Sequence, residues 1–156
     1  DCLNVGCVPS KALLRCARAI KEVRRAAEFG VVLQGPPPTV DFGAIMARMR
    51  RLRSSIAPAD AHTTTVSAGA DVYQGRGRFT GRNTVEVNGK TLRFKKAVVA
   101  TGGRAALPAG VPGLEDAPYV TNATLFNLTT LPPRLVVLGC GYVALEMAQA
   151  FAAFGS

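Results

Sequence analysis

Two cysteines five positions apart, Cys2 and Cys7, stand at the head of a long amphipathic run in Asp1-Cys2-Leu3-Asn4-Val5-Gly6-Cys7-Val8-Pro9-Ser10-Lys11. No other feature restricts the backbone so strongly. In a regular helix, Cα atoms five residues apart lie roughly 8 to 9 Å from each other, beyond the ~7 Å that a disulfide spans. A bridge would need irregular backbone, and Gly6, free to take positive φ, and Pro9, suited to a first helical turn, are placed to allow it. The other reading is two unrelated thiols, free cysteine being among the most buried residue types. A site at a helix N-terminus favours an anion, which lowers a thiol pKa and makes a reactive thiolate.

From Pro9 to Phe29 the apolar residues Leu13, Ala17, Ile20, Val23 and Ala27 recur at three- and four-residue steps. This predicts an amphipathic helix stopped by Gly30, with Cys16 near its apolar stripe as packing. Pro36-Pro37-Pro38 is a connector. Asp41 is placed to cap a second helix that turns Phe42, Ile45, Met46, Met49 and Leu52 inward and ends by Ala57, before Pro58. From Ala70 the period changes to two: Val72-Tyr73, Gly77 to Phe79, Thr84 to Val87 and Thr91 to Phe94 read as short strands, with Asn88-Gly89 a strong hairpin signal.

This small β-meander leads into Ala97-Val98-Val99-Ala100, an apolar run of the kind buried on both faces of a parallel sheet. Ala100-Thr101-Gly102-Gly103 follows, where glycines let backbone approach a cofactor and the threonine offers a hydroxyl. Leu135 to Leu138 reads as a second buried strand, then Gly139-Cys140-Gly141-Tyr142-Val143-Ala144-Leu145-Glu146 opens an apolar helix through Phe154. Strand, glycine turn and helix is the context of a dinucleotide fingerprint. Gly139 makes the tight turn, Gly141 allows close approach of the pyrophosphate, and Ala144 packs helix on strand. Cys140, between the glycines, reads as a small space-filler. The residue that separates NAD from NADP lies about 20 positions further on, so preference between them is not read from these residues.

The formal charge of +9 is concentrated: ten of the 19 basic residues fall in positions 1 to 53. Aromatic residues are 6 % and none interleave with the arginines as a stacking platform would require, so these charges read as a solvated face and no nucleic-acid partner is expected. No apolar stretch approaches the ~18 residues of a membrane span. Four cysteines make no regular framework, and a close pair in a larger chain points to redox chemistry rather than a stapled secreted domain. No metal-ligand set is evident. The single histidine, His62, reads as a surface or cap residue without an orienting carboxylate.

Cys-Leu-Asn-Val-Gly-Cys-Val-Pro-Ser-Lys resembles the redox-active disulfide motif of the class I flavoprotein disulfide reductases, the pyridine nucleotide–disulfide oxidoreductases that include dihydrolipoamide dehydrogenase, glutathione reductase and mercuric reductase. The resemblance extends to Ala-Thr-Gly as the second flavin-binding motif and to the Gly139 fingerprint, in the right order. It implies an α/β fold: parts of two Rossmann-like domains, for FAD and NAD(P), with the small β-meander. Residues 1–107 would be part of the FAD domain with the redox helix, 108–132 a crossover, and 133–156 the start of the NAD(P) domain.

The resemblance also implies that NAD(P)H passes hydride to FAD and that the flavin reduces a Cys2–Cys7 disulfide. Cys2 would be the interchange thiol that meets a disulfide or metal-ion substrate, and Cys7 the thiol beside the flavin. Glu146 would reach Lys11 at the flavin edge, Tyr142 would gate the nicotinamide pocket, and Lys11 with Ala100, Thr101, Gly102 and Gly103 would bind FAD. Gly139, Gly141, Tyr142, Ala144 and Glu146 would serve NAD(P)H. The acid/base histidine of the family comes from a partner subunit, so a homodimer is implied. The details after Tyr142 resemble the mercuric branch more than the lipoamide one, and the substrate stays open. Beginning inside a motif, the chain reads as an internal piece of a longer protein, inert alone, with cytoplasmic and organellar locations both open. A redox-silent nucleotide-binding remnant or basic binding module is the alternative.

Overall fold

The three- and four-residue spacing of apolar side chains produces three long helices, whose apolar stripes meet in one core. The computed structural model describes all residues 1–156, and they form two compact units, one of residues 1–57 with 104–156 and one of residues 58–103.

In the first unit, a single turn α1 (Cys2–Val5) is followed by α2 (Cys7–Arg24), whose last turn tightens into a 3₁₀ segment, Ala26–Phe29, closed by Gly30 in the left-handed conformation. The inward stripe of α2 is shorter than its sequence suggests: Leu13 and Ala17 are buried, Ile20 is half-buried, and Val23 and Ala27 are exposed. Helix α3 (Phe42–Ile56) begins as expected, with the Asp41 carboxylate accepting from the Ala44 N–H at 2.9 Å. Near the end of the unit lie the short α5 (Asn122–Leu125) and then α6 (Tyr142–Phe154), which is stopped by Gly155 at φ 110°.

Helix α2 packs against both α3 and α6. Ala12 and Ala17 on α2 and Ala150 and Ala153 on α6 are all buried, and these small side chains let helices approach closely. Larger groups fill the remaining space. Phe42, Phe151 and Phe154 form a triangle of tilted rings with centroids 5.9 to 6.1 Å apart, and Met46 and Met49 of α3 are fully enclosed.

The second unit carries α4 (His62–Ser67) and a three-stranded antiparallel sheet, β1 (Arg78–Gly81), β2 (Thr84–Val87) and β3 (Lys90–Arg93), in sequence order. Asn88 and Gly89, at φ 49° and 74°, join β2 to β3 and set the register Val87 to Lys90. Positive φ at both central positions is what a two-residue hairpin turn demands. Val72-Tyr73 is not a strand; Tyr73 instead lies under the Lys90 ammonium, 5.6 Å from its ring centroid.

Neither apolar run expected to be a parallel strand joins a sheet. Val98 is 92 % exposed and Val136 83 %. A strand buried on both faces is stabilised by neighbours that hydrogen-bond its backbone, and no other segment of these 156 residues pairs with either run. The α/β character is thus helices plus a small antiparallel sheet.

Removing an enclosed core side chain tests this packing. Met49→Ala is expected to destabilise the protein by about 2 to 5 kcal/mol and Asp41→Ala by about 1 kcal/mol, read as lowered urea midpoints with unchanged slope.

Candidate functional site

The sequence between the two cysteines breaks one helix and starts another. Backbone turns at Gly6, between α1 and α2, and brings the Cys2 and Cys7 Cα atoms to 4.6 Å, with their sulfurs joined in a disulfide. The irregularity comes from Gly6, but not through positive φ: it sits at φ −142°, and a Cβ there would meet the Asp1 carbonyl oxygen at 3.1 Å and Cys2 Cα at 3.3 Å. Close approach of backbone, rather than a left-handed turn, is why this position is glycine. Both cysteines are exposed. Cys7 is the first residue of an 18-residue helix whose N-cap, Gly6, offers no side-chain acceptor, so the first-turn N–H groups and the helix dipole face a thiolate formed there.

One turn on, the packing of α2 against α6 places Lys11 beside Glu146, 135 residues away in sequence: Nζ donates to Oε1 at 2.6 Å. Ser10, itself buried, donates to the Cys7 carbonyl at 3.3 Å and lies 3.4 Å from the Lys11 ammonium. The Lys11 hydrogen bond holds the Glu146 carboxyl below the usual carboxylate range, with Ser10 adding to the effect and partial burial opposing it. The disulfide, lysine and carboxylate therefore lie along the beginnings of two packed helices.

At the start of α6, Gly139 adopts φ 110° and Gly141 is the N-cap, with no side-chain cap and no acidic residue in the first turn. A Cβ at Gly141 would have nothing within 4 Å. Tyr142 opens the helix 80 % exposed, and Ala144 is half-buried. Cys140 is exposed, so it fills no space here, contrary to its expected packing role. In the other unit, Ala100, Thr101, Gly102 and Gly103 form an exposed loop with Gly102 at φ 73°. His62 is an exposed first residue of α4.

Sequence reasoning missed the work of the α3 arginines. Arg48 donates to the Ala12 carbonyl at 3.5 Å and lies 3.9 Å from the half-buried Cys16 sulfur, Arg50 donates to the Leu128 carbonyl at 3.2 Å, and Arg53 to that of Asn4 at 3.3 Å. Asn122 was missed as well; its amide donates to the Val5 carbonyl at 3.2 Å. The available signal was Thr121 three residues before Thr124, whose side chains form a reciprocal capping box at α5.

The depressed Glu146 pKa fixes the sign of a pH effect. Its folded pKa lies below the unfolded one, so its contribution is complete above the ordinary carboxylate pKa and is lost as pH falls through the depressed value. The lysine side chain is 63 % exposed, which limits the contribution to at most about 1 kcal/mol. Glu146→Gln is expected to flatten the decline of the urea midpoint as pH falls below the ordinary carboxylate range.

The profile of the pyridine nucleotide-disulphide oxidoreductases matches residues 1–156. The chain is similar to a mercuric reductase of Lysinibacillus sphaericus, 36 % identical over 155 residues, covering 99 % of this chain and 28 % of that protein. It is similar to a dihydrolipoyl dehydrogenase of Acholeplasma laidlawii, 33 % identical over 163 residues, covering 99 % of this chain and 46 % of the relative. Among solved structures it resembles the HOCl-induced flavoprotein disulfide reductase RclA from Escherichia coli, with a TM-score of 0.72 and 27 % identity, covering 99 % of this chain and 32 % of that one. The chain thus spans less than half the length of these proteins. With its profile matched from end to end, the chain belongs to the pyridine nucleotide-disulphide oxidoreductase family.

Proposed function

We propose that the protein is a flavoprotein disulfide reductase in which Cys2 and Cys7 carry an electron pair to a small-molecule disulfide or a metal ion. The observation that carries this reading is the Cys2–Cys7 disulfide at the start of α2, one turn from the Lys11–Glu146 pair. An exposed disulfide at a helix N-terminus is suited to exchange, because the thiolate released on opening is stabilised by the helix end.

The residues fit the cofactors this chemistry needs. An uncapped α6 N-terminus after Gly139, with open space at Gly141, suits the pyrophosphate of NAD(P)H, with Tyr142, Ala144 and Glu146 beside it. In the second unit, Ala100, Thr101, Gly102 and Gly103 would offer FAD backbone groups and a hydroxyl; in the first, Lys11 would offer FAD a charge. When bound, these groups supply two electrons from NAD(P)H.

This chain's own residues do the rest. Opening the disulfide with two electrons and one proton leaves one thiol and one thiolate, the negative charge resting on Cys7 at the helix end. Cys2 is the thiol that attacks a substrate disulfide or ligates a metal ion. Lys11 keeps a positive charge near the pair, and Glu146 fixes the position of its ammonium. Residues 1–107 would belong to an FAD domain, 108–132 to a crossover and 133–156 to an NAD(P) domain, in a protein that works as a homodimer.

The names of the relatives give the substrate classes: mercuric ion for the reductases and a dihydrolipoyl group for the dehydrogenase. A Cu(II) complex of the structural neighbour adds a second metal ion to that comparison. The basic-module alternative is weakened because Arg48, Arg50 and Arg53 are engaged with main-chain carbonyls.

In the intact protein, Cys2→Ser is expected to leave reduction of bound flavin by NAD(P)H in place and to lower steady-state turnover by at least about a thousandfold. Stopped-flow absorbance and turnover assays separate the two steps. Undiminished turnover would remove Cys2 from the mechanism.

A further inference from the structure

We propose that Arg53 and Asn122 are positioning residues for the Cys2–Cys7 pair, holding the turn between the cysteines so that the two thiols stay adjacent after the disulfide opens; this rests on the reading of that pair as a redox couple. Helix α1 is a single turn ending at Gly6, and its last carbonyls, on Asn4 and Val5, precede the break. Two side chains distant in sequence supply donors. The Arg53 guanidinium, 49 residues away, donates to the Asn4 carbonyl at 3.3 Å, and the Asn122 amide, 117 residues away, to that of Val5 at 3.2 Å.

Both donors stand on fixed supports. Arg53 lies one turn beyond the fully enclosed Met49 on α3, and Asn122 follows Thr121 inside the α5 capping box. Neither residue belongs to the disulfide motif, yet together they grip the two residues immediately before Gly6.

While the disulfide is closed, a covalent bond restrains this turn and the two hydrogen bonds duplicate its work. Reduction breaks the S–S bond, adds two electrons and two protons in all, and removes that restraint. The four residues between the cysteines then gain conformational freedom unless something else holds them. The two clamps limit that gain, keep each thiol at a high effective concentration for the other, and so favour closure. Loss of either donor releases the turn and shifts the equilibrium toward the dithiol.

The test equilibrates the intact protein anaerobically in mixtures of dithiothreitol and its cyclic disulfide, the dithiol being oxidised as the protein pair is reduced. After acid quench, differential alkylation and mass spectrometry report the peptide holding Cys2 and Cys7 separately from those holding Cys16 and Cys140. Asn122→Ala and Arg53→Ala are each expected to raise the dithiol-to-disulfide ratio about three- to tenfold. Arg53→Lys, which restores a cationic donor, returns the ratio toward wild type. Asn122→Asp keeps the size but has no N–H to donate, and is expected to behave like the alanine variant. If the alanine variants do not fold, the aspartate variant carries the test, since it also suits a first helical turn.

A wild-type ratio in the Asn122→Asp and alanine variants overturns the proposal, as does a shift toward the disulfide. An Arg53→Ala shift that lysine leaves uncorrected assigns the effect to general loosening and removes Arg53 from the role. A wild-type pair that does not cycle at all in these mixtures is failure of the redox reading itself, and is distinguishable from a cycling pair that is indifferent to the substitutions.

Discussion

The site depends on the packing of α2 against α6. Small residues on both helices, Ala12 and Ala17 on α2 and Ala150 and Ala153 on α6, are buried in the same core, and the phenylalanine triangle of Phe42, Phe151 and Phe154 joins α6 to α3. Because α2 begins at the disulfide and α6 begins at the glycine turn, the same burial that stabilises the core sets those two beginnings side by side. The Lys11–Glu146 ion pair is a result of this packing more than a cause of it. An ion pair with a largely exposed lysine contributes little to stability by itself, whereas enclosing the core residues of these helices contributes several kcal/mol in sum, on the order of 1.5 to 3 for each large side chain.

The charge of the chain takes on a different meaning in this setting. On α2 Arg18 pairs locally with Glu22, and just past its end Arg25 pairs with Glu28, both at 2.7 Å and both exposed. On α3 the arginines turn toward main-chain carbonyls of other segments: Arg50 to Leu128, past the end of α5, and Arg53 to Asn4, near the end of α1. A guanidinium offers several donors in a fixed fork, which suits carbonyls that no helix continues to satisfy. A solvated face therefore describes the α2 arginines, while those of α3 act as ties between segments.

Local chemistry was legible where the interaction that shapes it is local. Asp41 as a cap, the end of the first helical run at Gly30, the Asn88-Gly89 hairpin and the glycine turn before α6 each depend on a few neighbouring residues. Long-range facts were legible only when a motif carried them. The possibility of a Cys2–Cys7 bridge followed from spacing and Gly6, although the glycine serves by lacking a Cβ near the Asp1 carbonyl and not by a positive φ. The approach of Lys11 to Glu146 came from family resemblance, since nothing in the intervening residues encodes it.

The apolar runs at 97–100 and 135–138 show the limit most clearly. Their composition fits buried strands, but a strand exists only when another segment presents backbone donors and acceptors in register, and hydrophobicity cannot report whether one does. Asn122 shows the same limit for a polar residue: its side chain is unremarkable until the fold sets the Val5 carbonyl beside it. The sequence by itself determined the three long helices, the Asp41 cap, the hairpin and the two cysteines at a helix start, because propensity, turn chemistry and periodicity act over a few residues. Only the tertiary structure decided which carbonyls the arginines reach, which apolar runs stay exposed, and that Lys11 meets Glu146, because those outcomes depend on which surfaces become buried together.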